Sequence, residues 1–295
     1  MDFDRFQSLL PFKYSSRDVF YTIIQPMIYQ RFTNYLHSKR RSNRGRKRTV
    51  DLNQILKLLF CQCDNQFKDY MIQDISDISI STYKYYRKLL TESHILQNLH
   101  NELVTEKTVK KSNVYITDSF TVKSVDGSIG LGRNPTDRGR KGLKVSLICD
   151  LNLVTHAIHI APANIHDSKL LIPTINNSVS PLKGKPILAD SGYAGRKYIR
   201  KIHNETGIRL ISKPKKTRSK TGRMSHELSH SDQTLLDAHR NKIELLNGQL
   251  RRMRSINIKH VKKISTYRTF LYLGILVNTI IAILKSTTYH ACSMV

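Results

Sequence analysis

Leu143-Lys-Val-Ser-Leu-Ile-Cys149, Asp150-Leu-Asn152 and Leu153-Val-Thr-His-Ala-Ile-His-Ile160 form the stretch on which the fold turns. Two apolar, β-prone runs separated by three residues of turn chemistry predict an antiparallel hairpin. Before it, Val114-Tyr-Ile-Thr is a third β-prone run, ending at Asp118. After it, Asp167 is placed to cap a short helix carrying Leu170, Leu171 and Ile175. Pro186-Ile-Leu-Ala reads as a buried strand that ends at Asp190, with Gly192 permitting a sharp exit into a helix from Tyr193. Ile208-Arg-Leu-Ile211 is a further strand, and a basic stretch, Lys213 to His230, separates it from a helix containing Glu244. Strands followed by alternating helices and strands predict an α/β sheet with its functional groups at strand ends.

The first half reads differently. Asp51 stands as an N-cap before Leu52, Ile55, Leu56 and Leu59, whose spacing is helical. A second pattern runs from Phe67 to Ile75, and Asp77-Ile-Ser79 then interrupts the chain before Ile80, Tyr83, Tyr86, Leu89 and Leu90. Helix, break and Ser-capped helix is the layout of a helix-turn-helix, with Thr82, Lys84, Arg87 and Lys88 expected on the outer face of the last helix. Ahead of it, residues 39–48 hold seven cations, among them Arg44, Arg46, Lys47 and Arg48, read as a phosphate-binding arm. The polar run Val104 to Asn113 marks the expected domain boundary, dividing a helical domain at 1–108 from a second domain at 109–295.

Lys and Arg number 49 against 22 Asp and Glu, a net charge of +27. So large an excess points to a polyanionic partner, because neutralising phosphates releases condensed counterions. It names no reaction, and an RNA-binding or packaging protein would be as basic. The four cysteines, Cys61, Cys63, Cys149 and Cys292, are too scattered for a disulfide framework or a zinc cage, which fits an intracellular, reducing compartment. Phe270 to Leu284 is apolar but shorter than the roughly 20 residues that span a bilayer, so it is expected to be a buried helix.

Against this basic background three carboxylates stand out: Asp118, Asp190 and Glu244. Held together by a fold, carboxylates of this kind suit hard divalent cations, which keep several waters and need few protein ligands. Two such ions about 4 Å apart activate a nucleophile and stabilise the leaving oxygen in phosphodiester displacement. Between the acids, Val125 to Gly142 combines glycines with Arg133, Arg138, Arg140 and Lys141, a composition that lets backbone approach phosphate.

The ordered blocks resemble the catalytic domain of insertion-sequence DDE transposases, in particular the insertion sequence five group. The blocks are Tyr-Ile-Thr-Asp118-Ser, the Gly/Arg loop leading to Arg-Lys-Gly-Leu-Lys-Val, Pro162-Ala-Asn-Ile-His-Asp167, Leu-Ala-Asp190-Ser-Gly-Tyr193, and Arg240-Asn-Lys-Ile-Glu244 continuing to Arg251. The resemblance implies an RNase H-like mixed sheet flanked by helices, preceded by a smaller all-α helix-turn-helix-type domain. It implies Asp118, Asp190 and Glu244 as a metal-binding catalytic triad using Mg²⁺ or Mn²⁺, two ions in all. Double-stranded DNA would be the partner, held by a homodimer, in the cytoplasm or nucleoid of a prokaryote or the nucleus otherwise. Arg240 and Arg251, four before and seven after Glu244, share its side of a helix and are expected to grip DNA. Asp237 stands where the family signature has tyrosine. The alternative reading is therefore a transposase-derived DNA-binding protein with impaired catalysis.

Overall fold

The structure, a computed structural model, describes residues 15–39, 50–65, 67–106, 112–123, 132–134, 139, 141–216, 224–252 and 263–292. Of residues 240, 243, 246–252 and 286–292 it describes the backbone alone. The chain forms two compact units: Met1–Leu103 with Ser124–Ile129 and Met253–Val295, and Val104–Lys123 with Gly130–Arg252. These units do not follow a single cut in chain order. The first crossing, at Leu103/Val104, lies close to the expected boundary, whereas the closing segment joins the amino-terminal helices.

The second unit is built on one mixed sheet. Its strands are β1 (Tyr115–Lys123), the short β2 (Gly132–Arg133), β3 (Lys141–Asp150), β4 (Thr155–Pro162), β5 (Pro186–Ala189) and β6 (Arg209–Ser212). The order is β2-β3-β1-β5-β6, with β4 also paired to β3. β3 runs antiparallel to β1 and β4, while β1, β5 and β6 are mutually parallel neighbours. The hairpin is thus the expected one. Asp150 closes its turn by accepting the Asn152 and Val154 amides at 2.9 and 3.0 Å, which explains an acid with no exposed surface. At Gly142 a Cβ would lie 2.4 Å from the Val122 carbonyl oxygen, so only glycine lets β3 lie this close to β1.

One face of the sheet packs Tyr115, Ile148, Ile187, Ala189 and Leu210 against Leu171 and Ile202. Those two residues lie on α7 (Asp167–Asn176) and α8 (Arg196–Thr206), numbering the helices in chain order. α8 presents Tyr198, Ile199 and Ile202 to this core and leaves Arg196, Lys197, Arg200 and Lys201 in solvent. The long α9 (His230–Arg252) packs against β1, β5 and β6, and Arg209 meets Asp232 at 3.0 Å at its start. A mixed sheet flanked by helices is the expected architecture.

In the first unit, α1 (Ser16–Val19) passes through a wider turn, Phe20–Ile24, into α2 (Gln25–Ser38). The Gln25 amide reaches back to the Phe20 carbonyl, immediately ahead of Pro26, which has no amide to give. α3 (Leu52–Asn65) begins at Asp51, whose carboxylate accepts the Asn53 amide at 2.8 Å. The Phe67–Ile75 pattern forms only a tight turn at Asp69–Met71 and the single-turn α4 (Ile72–Ile75). α5 (Ile80–Glu92) has the expected Ser79 cap, with its side chain accepting the Thr82 amide at 3.2 Å, and α6 (Ile95–Thr105) follows. The apolar closing segment is α10 (Ile264–Cys292), which packs on α1, α3 and α5 through buried Phe270, Leu271, Leu273, Leu276 and Ile280. It is buried, as expected, but not for want of length: the apolar span runs from Ile264 to Lys285, 22 residues and long enough to cross a bilayer, and it is packing within the first unit that covers it.

Candidate active site

Register brings the first two acids together. β1 and β5 pair in parallel as Tyr115/Ile187, Ile116/Leu188 and Thr117/Ala189. One residue further along, the same register sets Asp118 beside Asp190, on strands about 4.8 Å apart. Asp118 does not end its strand, as the sequence suggests, because β1 continues to Lys123 under its long pairing with β3. Asp190 does end β5 and caps the short turn Ser191–Tyr193 by accepting the Gly192 amide at 2.8 Å. Helix α8 starts later than expected, at Arg196 after Gly195.

Gly192 serves the site through space rather than through backbone freedom, since its φ is not positive. A Cβ there would sit 2.9 Å from Asp190 Oδ1. The third acid, Glu244, is exposed on α9, the helix that packs across the strands bearing the other two. Among the described residues, no three His, Cys, Asp or Glu side chains converge as a metal-binding group. Two carboxylates at neighbouring positions of adjacent strands are nevertheless the kind of donor that a hard cation with its own waters accepts.

Beneath the pair lies a polar network that sequence reasoning missed. Alternation along β1 sends Ser119 to the face opposite Asp118, toward the start of α7. There Ser119 Oγ donates to Asp167, which also meets Lys144 Nζ at 2.9 Å. Lys144 donates to the Ile165 carbonyl as well, at 2.8 Å, which satisfies a cation left almost dry in an apolar strand. Asp167 is therefore not the cap of α7. His166 takes that place, its side chain accepting the Ser168 amide at 3.2 Å, which leaves Asp167 to reach inward. The Ser119 amide donates to Asp118 Oδ1 at 2.7 Å, tying the first acid to this network.

Charge is crowded here. Burial first, and then the negative charge of Asp167, raise the Asp190 carboxyl above its ordinary value, against the Gly192 amide and the charge of Lys215. Burial and the charges of Asp118 and Asp167 hold the Tyr193 phenol far above the usual tyrosine range. Carboxylates that repel one another at close range are stabilised by an added cation. Lys144, a cation inside an apolar run, was the legible clue to this network; Ser119 and Tyr193 carried none beyond their place beside the acids.

The expected DNA contacts divide. Lys84 and Lys88 are exposed on α5, with Lys84 Nζ 3.6 Å from Asp69 and Lys88 Nζ 3.7 Å from Glu92. Arg87 does not face outward. Its guanidinium bonds Asp69 at 2.7 and 3.0 Å and Gln62 at 3.1 Å, and lies over the Tyr83 and Phe270 rings. Lys141 is exposed at the start of β3. Arg240 and Arg251 lie on α9 with their side chains outside the described residues, as do Arg44, Arg46, Lys47, Arg48, Arg138 and Arg140 entirely.

The model of the transposase DDE domain matches residues 110–292. The chain belongs to the transposase DDE domain family. A relative from Burkholderia cepacia, named as a candidate transposase for insertion sequence element IS402, is 26% identical over 152 residues. That match takes in 48% of this chain and spans 65% of the relative's length. A piggyBac transposase synaptic complex with hairpin DNA, solved by cryo-EM, aligns with 90% of this chain and 72% of its own at a TM-score of 0.49 and 10% identity. That likeness is too distant to carry an argument. In this DDE-family chain the matched region takes in all three acids, the sheet and the closing helix.

Proposed function

We propose that the chain is an active DNA transposase that binds the ends of a mobile element, cuts them, and joins the freed 3′-hydroxyl to target DNA. One observation supports the reading: the parallel pairing of β1 with β5 runs up to Thr117/Ala189, the residues just before Asp118 and Asp190, and the helix that bears Glu244 packs on both strands. The three would hold Mg²⁺ or Mn²⁺, with two ions expected. When bound, such ions generate a nucleophile from water and stabilise the leaving oxygen. The protein's part is to fix the carboxylates. Strand pairing sets the Asp118–Asp190 spacing, the Gly192 and Ser119 amides hold one oxygen of each, and α9 brings Glu244 across the strands. Double-stranded DNA fits the +27 charge. Exposed Lys84 and Lys88, together with Arg44, Arg46, Lys47, Arg48, Arg138, Arg140, Lys141, Arg240 and Arg251, are the proposed phosphate contacts. Cutting two ends in one event calls for a dimer on DNA.

The test uses purified protein, Mg²⁺ and DNA carrying the element's terminal inverted repeats. The wild type should cleave, and Asp190→Asn should lower the rate by at least about a thousandfold while leaving DNA affinity intact, since charge stabilisation supplies much of such a barrier. Undiminished cleavage by Asp190→Asn would remove it from the site. Binding without metal-dependent cleavage by the wild type would favour the impaired, DNA-binding alternative.

A further inference from the structure

Beyond β6 the chain turns strongly basic, and its first residues are held in place. Lys213 precedes Pro214, which favours extended backbone at Lys213 and carries the strand direction on past Ser212. β5 and β6 pair in parallel as Leu188/Ile211 and Ala189/Ser212, so Lys213 stands at the register position of Asp190. The Lys213 amide reaches the Ala189 carbonyl at 3.4 Å, which continues that pairing.

The returning chain is pinned to the same root. Lys216 bridges to Met224 in antiparallel fashion, and the Ser225 amide donates to the Lys215 carbonyl at 2.8 Å. Ser225 Oγ accepts the Lys215 amide at 3.2 Å. Buried His226 ties this pair to β6. Its Nε2 faces the Ser212 carbonyl at 2.9 Å and so donates to it, while Nδ1 meets Ser225 Oγ at 3.0 Å. On that root Lys213, Lys215 and Lys216 are all exposed. Among the described residues neither Lys213 nor Lys216 forms an ion pair, and the charge of Lys215 acts on Asp190. Like charges this close repel one another, and an incoming polyanion relieves the repulsion while releasing its counterions.

We propose that Lys213, Lys215 and Lys216 form a phosphate-binding ridge that holds the DNA strand to be cut at the end of β5, beside Asp190. The proposal rests on the reading of Asp118 and Asp190 as the cutting site. Those acids need a phosphodiester next to them and also repel it. Cations one strand away supply the attraction without occupying the place of a metal ion. Lysine suits the task, because a point charge on a flexible stem follows a DNA backbone without demanding one geometry.

The test joins Lys213→Gln, Lys215→Gln and Lys216→Gln in the full chain, which removes the charges and keeps exposed polar side chains. Binding to a duplex carrying the terminal inverted repeat is measured over a range of salt, without divalent metal. The slope of log affinity against log salt should become shallower by about 2 to 3, near 0.9 for each lost phosphate contact. Arginine at the same positions should restore the slope. Neutral methylphosphonate linkages at the outer end of the repeat should weaken the wild type about 10-fold and leave the glutamine variant unchanged. If the glutamine variant keeps the wild-type slope and the wild-type response to the neutral linkages, the ridge is overturned. A slope lost with glutamine and not restored by arginine would make the lysines structural and also overturn it. Cleavage by Asp190→Asn in Mg²⁺ separates the two readings. If that variant is inactive while the ridge fails its own tests, the acid site stands alone. If it cleaves like the wild type, the acid site falls, and a ridge serving it falls too.

Discussion

Helical spacing lines Arg87 up with Lys84 and Lys88, and that pattern alone assigns all three to a DNA-facing surface. What separates them lies elsewhere in the chain. Asp69 and Gln62 supply acceptors, and Tyr83 and Phe270 supply ring faces, so the guanidinium is drawn inward while its two neighbours remain in water. Burial pushes the Asp69 carboxyl up, but the hydrogen bonds and charge of Arg87, with help from Gln62 and Lys84, outweigh it and hold the group below its ordinary value of 3.8. A carboxyl depressed in the folded state contributes stability above its unfolded value, and loses it as the pH falls through the lower folded value. Arg87→Met should therefore cost about 2 kcal/mol at pH 7, by stranding a half-buried charge. The deficit should narrow below about pH 4, where the wild type loses the same contribution. Denaturant titrations of both proteins across that range check it; an equal deficit at every pH would mean that packing, not charge, sets the loss. DNA affinity should change far less than for Lys84→Ala or Lys88→Ala.

Among the elements, the strands were legible because apolar β-prone runs with turn residues between them have few other uses. The hairpin closed by Asp150, and β5 ending at Asp190, stand where local chemistry puts them. Where β1 would end was not legible: an acid after an apolar run reads as a strand end, and only the long ladder with β3 carries the strand on past Asp118 to Lys123. The cap of α7 was misread for a related reason. His166 and Asp167 are both able to cap, and the choice is made by Ser119 and Lys144, far away in sequence. Local signals do hold where nothing distant competes, as at Ser79. Ser79→Ala should lose about 1 kcal/mol through the freed amide at the start of α5. Thermal melts should register this as a drop of about 3 °C. No change would mean that tertiary packing alone fixes that helix start.

At the scale of the molecule, sequence order suggests two domains in series, yet the helix α10 belongs to the first compact unit although it follows the sheet unit in sequence. Its apolar surface gave no hint of which partner it would choose, because a buried helix reads the same against a sheet or against other helices. A chain ending at Arg252 should retain the sheet with α7, α8 and α9, and lose the packing of α1, α3 and α5. Hydrogen exchange should then find the amides of residues 16–105 exposed while β1, β3 and β5 stay protected. Protection of both regions would show the helical unit to be self-sufficient.

This arrangement also sets a timetable for synthesis. The amino-terminal helices leave the ribosome well before α10, the helix on which they close. Domains usually fold as units during synthesis. Here the sheet unit has all its strands and helices before the helical unit has its final one. Termination before α10 would leave the helical half unfinished, so its packed surface would form only after the whole sheet unit has been translated.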